Sequence, residues 1–264
     1  MVDYRVDRAG RLQQSGIAVE SAEGTLSVHP RIHQTTPPGQ DLVIVLVKSY
    51  STSGLVLPRG VPVLTLQNGL GNVEKLCDLV GPENVLVGAT TEACTLLDEG
   101  RVRHMGAGTT CVGSWTTCPL EPAVEALRKA GLSAEASQAP AKLLWEKAAI
   151  VAGIAPLTAL LGVTNGRLVE MTEVRQLLRD LVVEAAKVAT MEGHRFDRSL
   201  VEWAEEVCRQ TAGNTSSMLQ DVRGGKRTEI DAVSGEIVRR AQLTGVPVPR
   251  TRMVWQLVRG LEQR

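Results

Sequence analysis

Lys147 stands at the mouth of the most apolar stretch of the chain, Leu144-Trp145-Glu146-Lys147 followed by Ala148 through Ala155 and then Pro156. An ammonium at the edge of such a segment is partly desolvated, which moves its pKa down towards the range of a general acid. A lysine there can equally be snorkelling, its stem on the core and its head in water. Other candidates are spread along the chain. Leu66-Gln67-Asn68-Gly69-Leu70-Gly71 joins an apolar run to a helical one. Its glycines let a backbone approach a ligand, and the Asn68 amide both donates and accepts; a plain Asn-Gly turn is the commoner reading. Lys48, just past the preceding apolar run, reads by itself as a solvated surface lysine. Ser216 and Ser217 stand between two helical stretches and could be a helix cap. Thr228, Glu229 and Asp231 open the next stretch and could be capping residues and dipole complements. Singly, each ordinary reading is respectable. The case for a site is their joint order with Lys147 and Asn68.

The elements that must position these residues fall into two textures. In the first half, Asp41-Leu-Val-Ile-Val-Leu-Val47 is a continuous β-branched run, which predicts a strand buried on both faces of a parallel sheet. Val61–Leu66 and Asn84–Gly88 repeat the pattern, with short crossover helices expected over 51–57 and 72–80. Such a rhythm reads as βαβ units of a doubly wound sheet. Thr25–Ile32 and Arg101–Gly113 predict shorter flanking strands. At the start, Val2-Asp3-Tyr4-Arg5 with Arg8 and Arg11 resembles a strand end entering a helix. In dinucleotide folds an acid there holds the ribose and an Arg accommodates a 2′-phosphate, although a charged tail explains these residues as well. From Lys142 on the pattern is helical, with Arg167–Glu192 as one long amphipathic stretch and further helices near 198–211, 228–243 and 251–263. The expected architecture is a parallel α/β part over 1–138 and an all-helical part over 139–264.

Composition narrows the function classes. Lysine plus arginine (29) equals aspartate plus glutamate (29), so the net positive field that drives non-specific nucleic-acid binding is missing. Aromatic residues make up 3%, too few for base-stacking platforms. No run reaches about 18 uninterrupted apolar residues, so no membrane span is expected. The charged N-terminus lacks the apolar core of a signal peptide, which points to the cytoplasm. The five cysteines form no C-x-x-C pair, and the four histidines do not join them at metal-ligand spacing. No metal is expected.

The blocks DLVIVLVKSY at 41–50, LQNGLGN at 66–72, LLWEKAAIVAGIAPLTALLGVTNG at 143–166 and SSMLQDVRGGKRTEID at 216–231 together resemble the ketopantoate reductase (2-dehydropantoate 2-reductase) family. That resemblance implies a Rossmann-type sheet followed by a helical domain. It also implies NADPH-dependent reduction of the C2 ketone of 2-dehydropantoate to (R)-pantoate, on the route to pantothenate and coenzyme A. By the same resemblance Lys147 donates the proton and Glu229 contacts the cofactor ribose and helps position the lysine. Asn68 sits beside nicotinamide and substrate, Ser217, with Ser216 next to it, holds the substrate carboxylate, and Asn165 lines the substrate pocket. Arg5 and Lys48 favour NADPH, and Cys94 offers a backbone contact to the cofactor. A homodimer is the assembly considered.

Two departures from the family pattern stand out. The family's first strand and glycine loop, roughly 25 residues, have no counterpart in the 264, so the expected Rossmann sheet is N-terminally incomplete. The readings of this gap are a misassigned start, a truncated chain or a decayed copy. Asparagines common in the family four and eight residues after the lysine are replaced by Val151 and Ala155. This leaves two alternatives to the leading function: a relative acting on a different 2-keto acid, and an inactive paralogue retained as a binding protein.

Overall fold

Most of the expected strands form, in a computed structural model that describes residues 1–263. One compact unit takes in Met1–Val45, Ser53–Leu66 and Leu76–Gln138. In chain order its elements are α1 (Val6–Ser15), β1 (Ile17–Ser21), β2 (Gly24–Val28), β3 (Val43–Val45), β4 (Val63–Thr65), the greater part of α2 (Asn72–Val80), β5 (Val85–Thr90), β6 (Ala93–Asp98), β7 (Arg101–Gly106), β8 (Thr109–Ser114), α3 (Glu121–Lys129) and β9 (Ser133–Ser137). Strands β3-β4-β5-β8-β9 make one sheet. It is parallel from β3 to β5, turns antiparallel at β5/β8, and is parallel again at β8/β9. Strand β4 is buried along its whole length, as its apolar run demands. Leu64, Leu86 and Val112 from the sheet meet Ala123, Val124 and Leu127 of α3 in the core. A second sheet is β2-β1-β7-β6; of the expected flanking strands, 25–32 gives β2, while 101–113 splits into β7 here and β8 in the first sheet.

Three expectations need correction here. The run Asp41–Val47 is not a strand buried on both faces: β3 covers only 43–45, lies at the sheet edge, and leaves Ile44 40% and Leu46 70% exposed. An edge strand has a neighbour on one side only, so its apolar side chains lack the cover of a central strand. The stretch 51–57 forms a 3₁₀ turn over Ser49–Gly54, since its Ser, Thr and Gly are weak helix formers and Pro58 follows. Finally, Val2 does form a parallel bridge to His33 ahead of α1, but Asp3 is buried with its carboxylate engaged by Arg8 and by the Arg5 N–H (3.0 Å). It is not an open acid waiting for a ribose.

The other unit comprises Leu46–Thr52, Gln67–Lys75 and the chain from Ala139 on. Its helices are α4 (Pro140–Leu161), α5 (Arg167–Glu170), α6 (Thr172–Met191), α7 (Leu200–Gln210), α8 (Ser217–Arg223), α9 (Glu236–Thr244) and α10 (Pro249–Leu261). Helix α4 is apolar all round, the pattern of a helix enclosed by others, and α6, α7, α8 and α10 pack on it. By length and composition alone it could cross a membrane, yet 72% of its most apolar window is buried inside this unit. Gly153 makes the α6 contact possible, since a Cβ there would lie 2.6 Å from Val182 Cγ2. The long stretch 167–192 is broken at Met171, whose backbone is extended, and Thr172-Glu173 begin a fresh helix. A π-helical turn over Asp231–Gly235 precedes α9.

Candidate functional site

Glu229 is the centre of a buried charge cluster. Its position is set by its neighbour: the Thr228 N–H and Oγ1 both donate to Glu262, at 2.7 and 2.6 Å, and Thr228 Oγ1 in turn accepts from the Ile230 N–H. Thr228 thus takes the local turn-forming role, and the Glu229 side chain, 10% exposed, is released for other partners. Glu229 Oε1 accepts from the Ser49 N–H at 2.9 Å, and Oε2 lies 3.7 Å from Lys48 Nζ. Lys48 Nζ also donates to Asp221 Oδ2 at 2.5 Å. Lys48 is therefore no solvated surface lysine. Burial opposes its charge, but the hydrogen bond to Asp221 and the charges of Glu229 and Asp221 outweigh that, and its pKa lies above the ordinary lysine value.

Lys147 is the opposite case. It is half-buried on α4, and burial lowers its pKa from 10.5 to about 8, with the Glu229 charge pulling the other way. Two lysines thus share one buried carboxylate and are held at very different acidities. The cause is that Asp221 serves Lys48, while apolar α4 surrounds Lys147.

Beside this cluster is a narrow recess of about 10 Å³, lined by Asn68, Val151, Ala155, Ser217, Met218, Asp221, Glu229 and Val233. Lys147, Val151 and Ala155 follow one another turn by turn on one face of α4. Asn68 reaches the recess from the loop after β4, its backbone carbonyl tied to Asn72 Nδ2 at 3.0 Å. The glycine after it serves the protein's own packing: Gly69 has φ +80° and a Cβ there would sit 2.3 Å from the Ala232 carbonyl oxygen, which accepts from the Leu70 N–H at 2.8 Å. A larger hollow of about 310 Å³, lined in part by Tyr50, Leu70 and Arg227, shares Glu229 with the recess.

Of the residues singled out from the sequence, Lys48, Asn68, Lys147, Ser217 and Glu229 come together in this unit. Ser216 does not offer its hydroxyl to the recess: it caps α8, accepting from the Leu219 N–H at 3.1 Å, and bonds Thr158 Oγ1 at 2.6 Å. Asn165 is buried away from the recess lining, its Nδ2 donating to Thr211 Oγ1 at 2.9 Å and its Oδ1 without a partner among the described residues. Arg5 and Cys94 belong to the other unit, where Arg5 is the exposed residue preceding α1 and Cys94 is exposed on β6. Asp221 is the residue that sequence reasoning missed. Its signal was present, because it follows Ser217 by one helical turn on α8 and so shares its face.

The comparisons with known proteins give the family. The profile described as "Ketopantoate reductase PanE/ApbA" matches residues 1–117, and that of "Ketopantoate reductase PanE/ApbA C terminal" matches 141–262. The chain belongs to the ketopantoate reductase family. It is thus a member of a family of oxidoreductases acting on CH–OH groups. A 2-dehydropantoate 2-reductase of Halobacterium salinarum is 37% identical over 275 aligned positions, covering 100% of this chain and 90% of the relative. One of Pyrococcus horikoshii is 32% identical, covering 95% and 85%. Among solved structures, a PanE/ApbA family ketopantoate reductase from Ralstonia eutropha superposes with a TM-score of 0.88 at 28% identity, covering 98% of this chain and 89% of that one. A Rossmann-type sheet with a helical C-terminal part is the fold of this ketopantoate reductase family, and Lys147 and Glu229 both lie within the match to its C-terminal profile.

Proposed function

We propose that this chain reduces the C2 ketone of a 2-keto acid with NADPH, 2-dehydropantoate being the first substrate to try, and that Lys147 is the proton donor. The observation that carries the reading is the acidity of Lys147, about 8, beside a buried carboxylate. At neutral pH the ammonium is charged, so it polarises a carbonyl, and it is acidic enough to give up its proton as negative charge builds on oxygen. The Nζ–H bond breaks as the O–H bond forms, and the neutral amine takes a proton back from solvent. Glu229 limits how far the pKa falls, and Lys48, itself bonded to Asp221, pairs with Glu229.

The residues present fit the ribose and nicotinamide ends of a nicotinamide dinucleotide, while the family's glycine loop, which cradles the pyrophosphate, has no counterpart among them. Glu229 supplies acceptor oxygens suited to ribose hydroxyls, and Asn68, part of the recess lining, carries a carboxamide that can both donate and accept. Bound, such a cofactor supplies the hydride. Of the two cations considered for a 2′-phosphate, Lys48 is engaged by Asp221 and Glu229, which leaves Arg5, exposed ahead of α1, as the better NADPH determinant. Cys94 offers a backbone contact, and Ser217 the hydroxyl for the substrate carboxylate, since the Ser216 hydroxyl caps α8. The names of the Halobacterium and Pyrococcus relatives support the substrate class. The test is NADPH oxidation with 2-dehydropantoate by the wild type and Lys147→Ala. Loss of a general acid lowers kcat about 10²–10⁴-fold with little change in NADPH affinity. Near-normal turnover by the variant removes Lys147 from the reaction.

Val151 and Ala155 favour a second reading of the substrate. They join Met218 and Val233 in an apolar wall that has no hydrogen bond to give a substrate hydroxyl. Apolar walls discriminate weakly, so 2-ketoisovalerate is expected to be reduced nearly as well as 2-dehydropantoate. A preference for 2-dehydropantoate above roughly 10³-fold in kcat/KM overturns that second reading.

A further inference from the structure

We propose that Arg240 is a positioning residue for the reaction, a latch that ties the segment carrying Asn68 to the helix carrying Lys147. Arg240 projects from α9 and is 16% exposed. Its guanidinium serves three carboxylates at once. Nη2 donates to Glu74 Oε1 at 2.5 Å, Nη1 to Glu192 Oε2 at 3.0 Å, and Nε to Glu236 Oε1 at 3.1 Å. A planar fork spreads five N–H donors over three nitrogens and so reaches three separate carboxylates; a lysine carries its three donors on one nitrogen and spans them less well.

Each arm leads to a different part of the candidate site. Glu74 lies in the first turn of α2, at the end of the segment 67–75 that begins with Gln67 and Asn68. Glu192, just past α6, also accepts from the indole Nε1 of Trp145 at 3.2 Å. Trp145 is 2% exposed and precedes Lys147 by two residues on α4, and the Arg240 guanidinium lies 5.9 Å from its ring centre. Glu236 fixes Arg240 itself where the π-helical turn meets α9. The segment 67–75 is also held by the Leu70 N–H on the Ala232 carbonyl, by Gln67 Nε2 on the Val47 carbonyl and Thr52 Oγ1, and by Lys75 Nζ on the Ser49 carbonyl, so Glu74 is its tie to α9. The arms differ in exposure: Glu192 is 21% and Glu236 14% exposed, whereas Glu74 is 51% exposed. The loop arm is the one that water reaches, so it is the arm whose loss should loosen 67–75 without opening the core.

The consequence for turnover rests on the function proposed above, because Asn68 and Lys147 must face one carbonyl together. A displacement of about 1 Å at a positioned group can cost 10²-fold in rate. The test is Glu74→Gln, which keeps the side-chain shape and removes the charge. Three quantities are measured: hydrogen exchange of the 67–75 amides, the Tm, and kcat and KM with NADPH and 2-dehydropantoate. Exchange in 67–75 should rise and kcat fall roughly 10- to 100-fold, with KM changing less. The Tm should drop by no more than about 2–4 °C, as for loss of a half-exposed pair. In Arg240→Lys the same Glu74→Gln change should add little, since the arm is already broken. Unchanged exchange in 67–75, or faster exchange with wild-type kcat, overturns the proposal. A merely structural Arg240–Glu74 pair would lower the Tm and leave the kcat of folded enzyme unchanged. If the wild type turns over no 2-keto acid, the proposed function fails, and exchange in Glu74→Gln alone then decides whether the latch exists.

Discussion

Replacing Lys147 with methionine should make the protein more stable, and by an amount that depends on pH in a defined way. The ammonium ionises at about 8 in the folded chain against an ordinary 10.5. Below pH 8 the folded and unfolded chains both carry the proton, and the full cost of placing the charge on apolar α4 is present. At 1.36 kcal/mol per pH unit that cost is about 3 kcal/mol. Lys147 keeps part of its surface, so solvent screening trims the expected gain to roughly 1–3 kcal/mol. Between pH 8 and 10.5 the unfolded chain binds more protons than the folded one, so wild-type stability rises with pH and the advantage of the variant shrinks. Methionine fills the space of the lysine stem, and its packing contribution does not vary with pH. Urea unfolding of wild type and Lys147→Met at intervals from pH 7 to 10.5 measures the difference directly. A gain at pH 7 that fades towards pH 10.5 is the expected result. A difference that is flat across this range, or a net loss at pH 7, would mean that the lysine is not desolvated as its surroundings indicate, and the argument for its acidity would fall with it.

Three further outcomes follow from the same geometry. In the wild type, kcat/KM should decline as pH rises through about 8, because the proton donor is lost; a profile level to pH 10 contradicts Lys147 as the acid. Asp221→Asn should turn Lys48 more fully onto Glu229, weaken the support that Glu229 gives Lys147, and shift that alkaline limb to lower pH; an unmoved limb would show that the two lysines are not coupled through Glu229. Gly69→Ala should cost roughly 1–3 kcal/mol of stability in denaturant unfolding, since φ +80° is unfavourable for alanine and its Cβ would collide with the Ala232 carbonyl; unchanged stability would show that the loop can move aside freely.

The helices and the central strands were legible because they rest on local patterns. The run in β4 predicts burial and is buried, and 72–80 forms α2 over that same span. What the pattern could not show is which strand lies at an edge, because that depends on partners distant in sequence. The β3 run is as apolar as that of β4, yet β4 alone pairs with it, and Ile44 and Leu46 are left exposed. The second sheet was hidden for a similar reason: β1 pairs in parallel with β7, far along the chain, and no local period announces that. The break at Met171 and the π-helical turn are one-residue events inside otherwise helical periodicity, too small to disturb it.

The site divides along the same line. Lys147 was legible because its surroundings are its own helix, and the sequence of α4 carries the desolvation with it. Lys48 read as a surface residue because its partner Asp221 is 173 positions away, and only folding supplies the carboxylates that hold it. Ser216 and Ser217 differ by one position and about one-third of a helical turn, enough to make one a cap and to leave the other in the recess lining. For Lys147, acidity and burial are therefore a single property. The apolar face that closes α4 against α6, α8 and α10 also lowers the pKa, and Val151 and Ala155 extend that face into the recess. A polar residue at 151 would add a hydrogen-bonding group to the pocket and raise the local polarity one turn from the lysine. Substrate choice and acid strength in this chain are for that reason set by the same few side chains and cannot be tuned separately on α4.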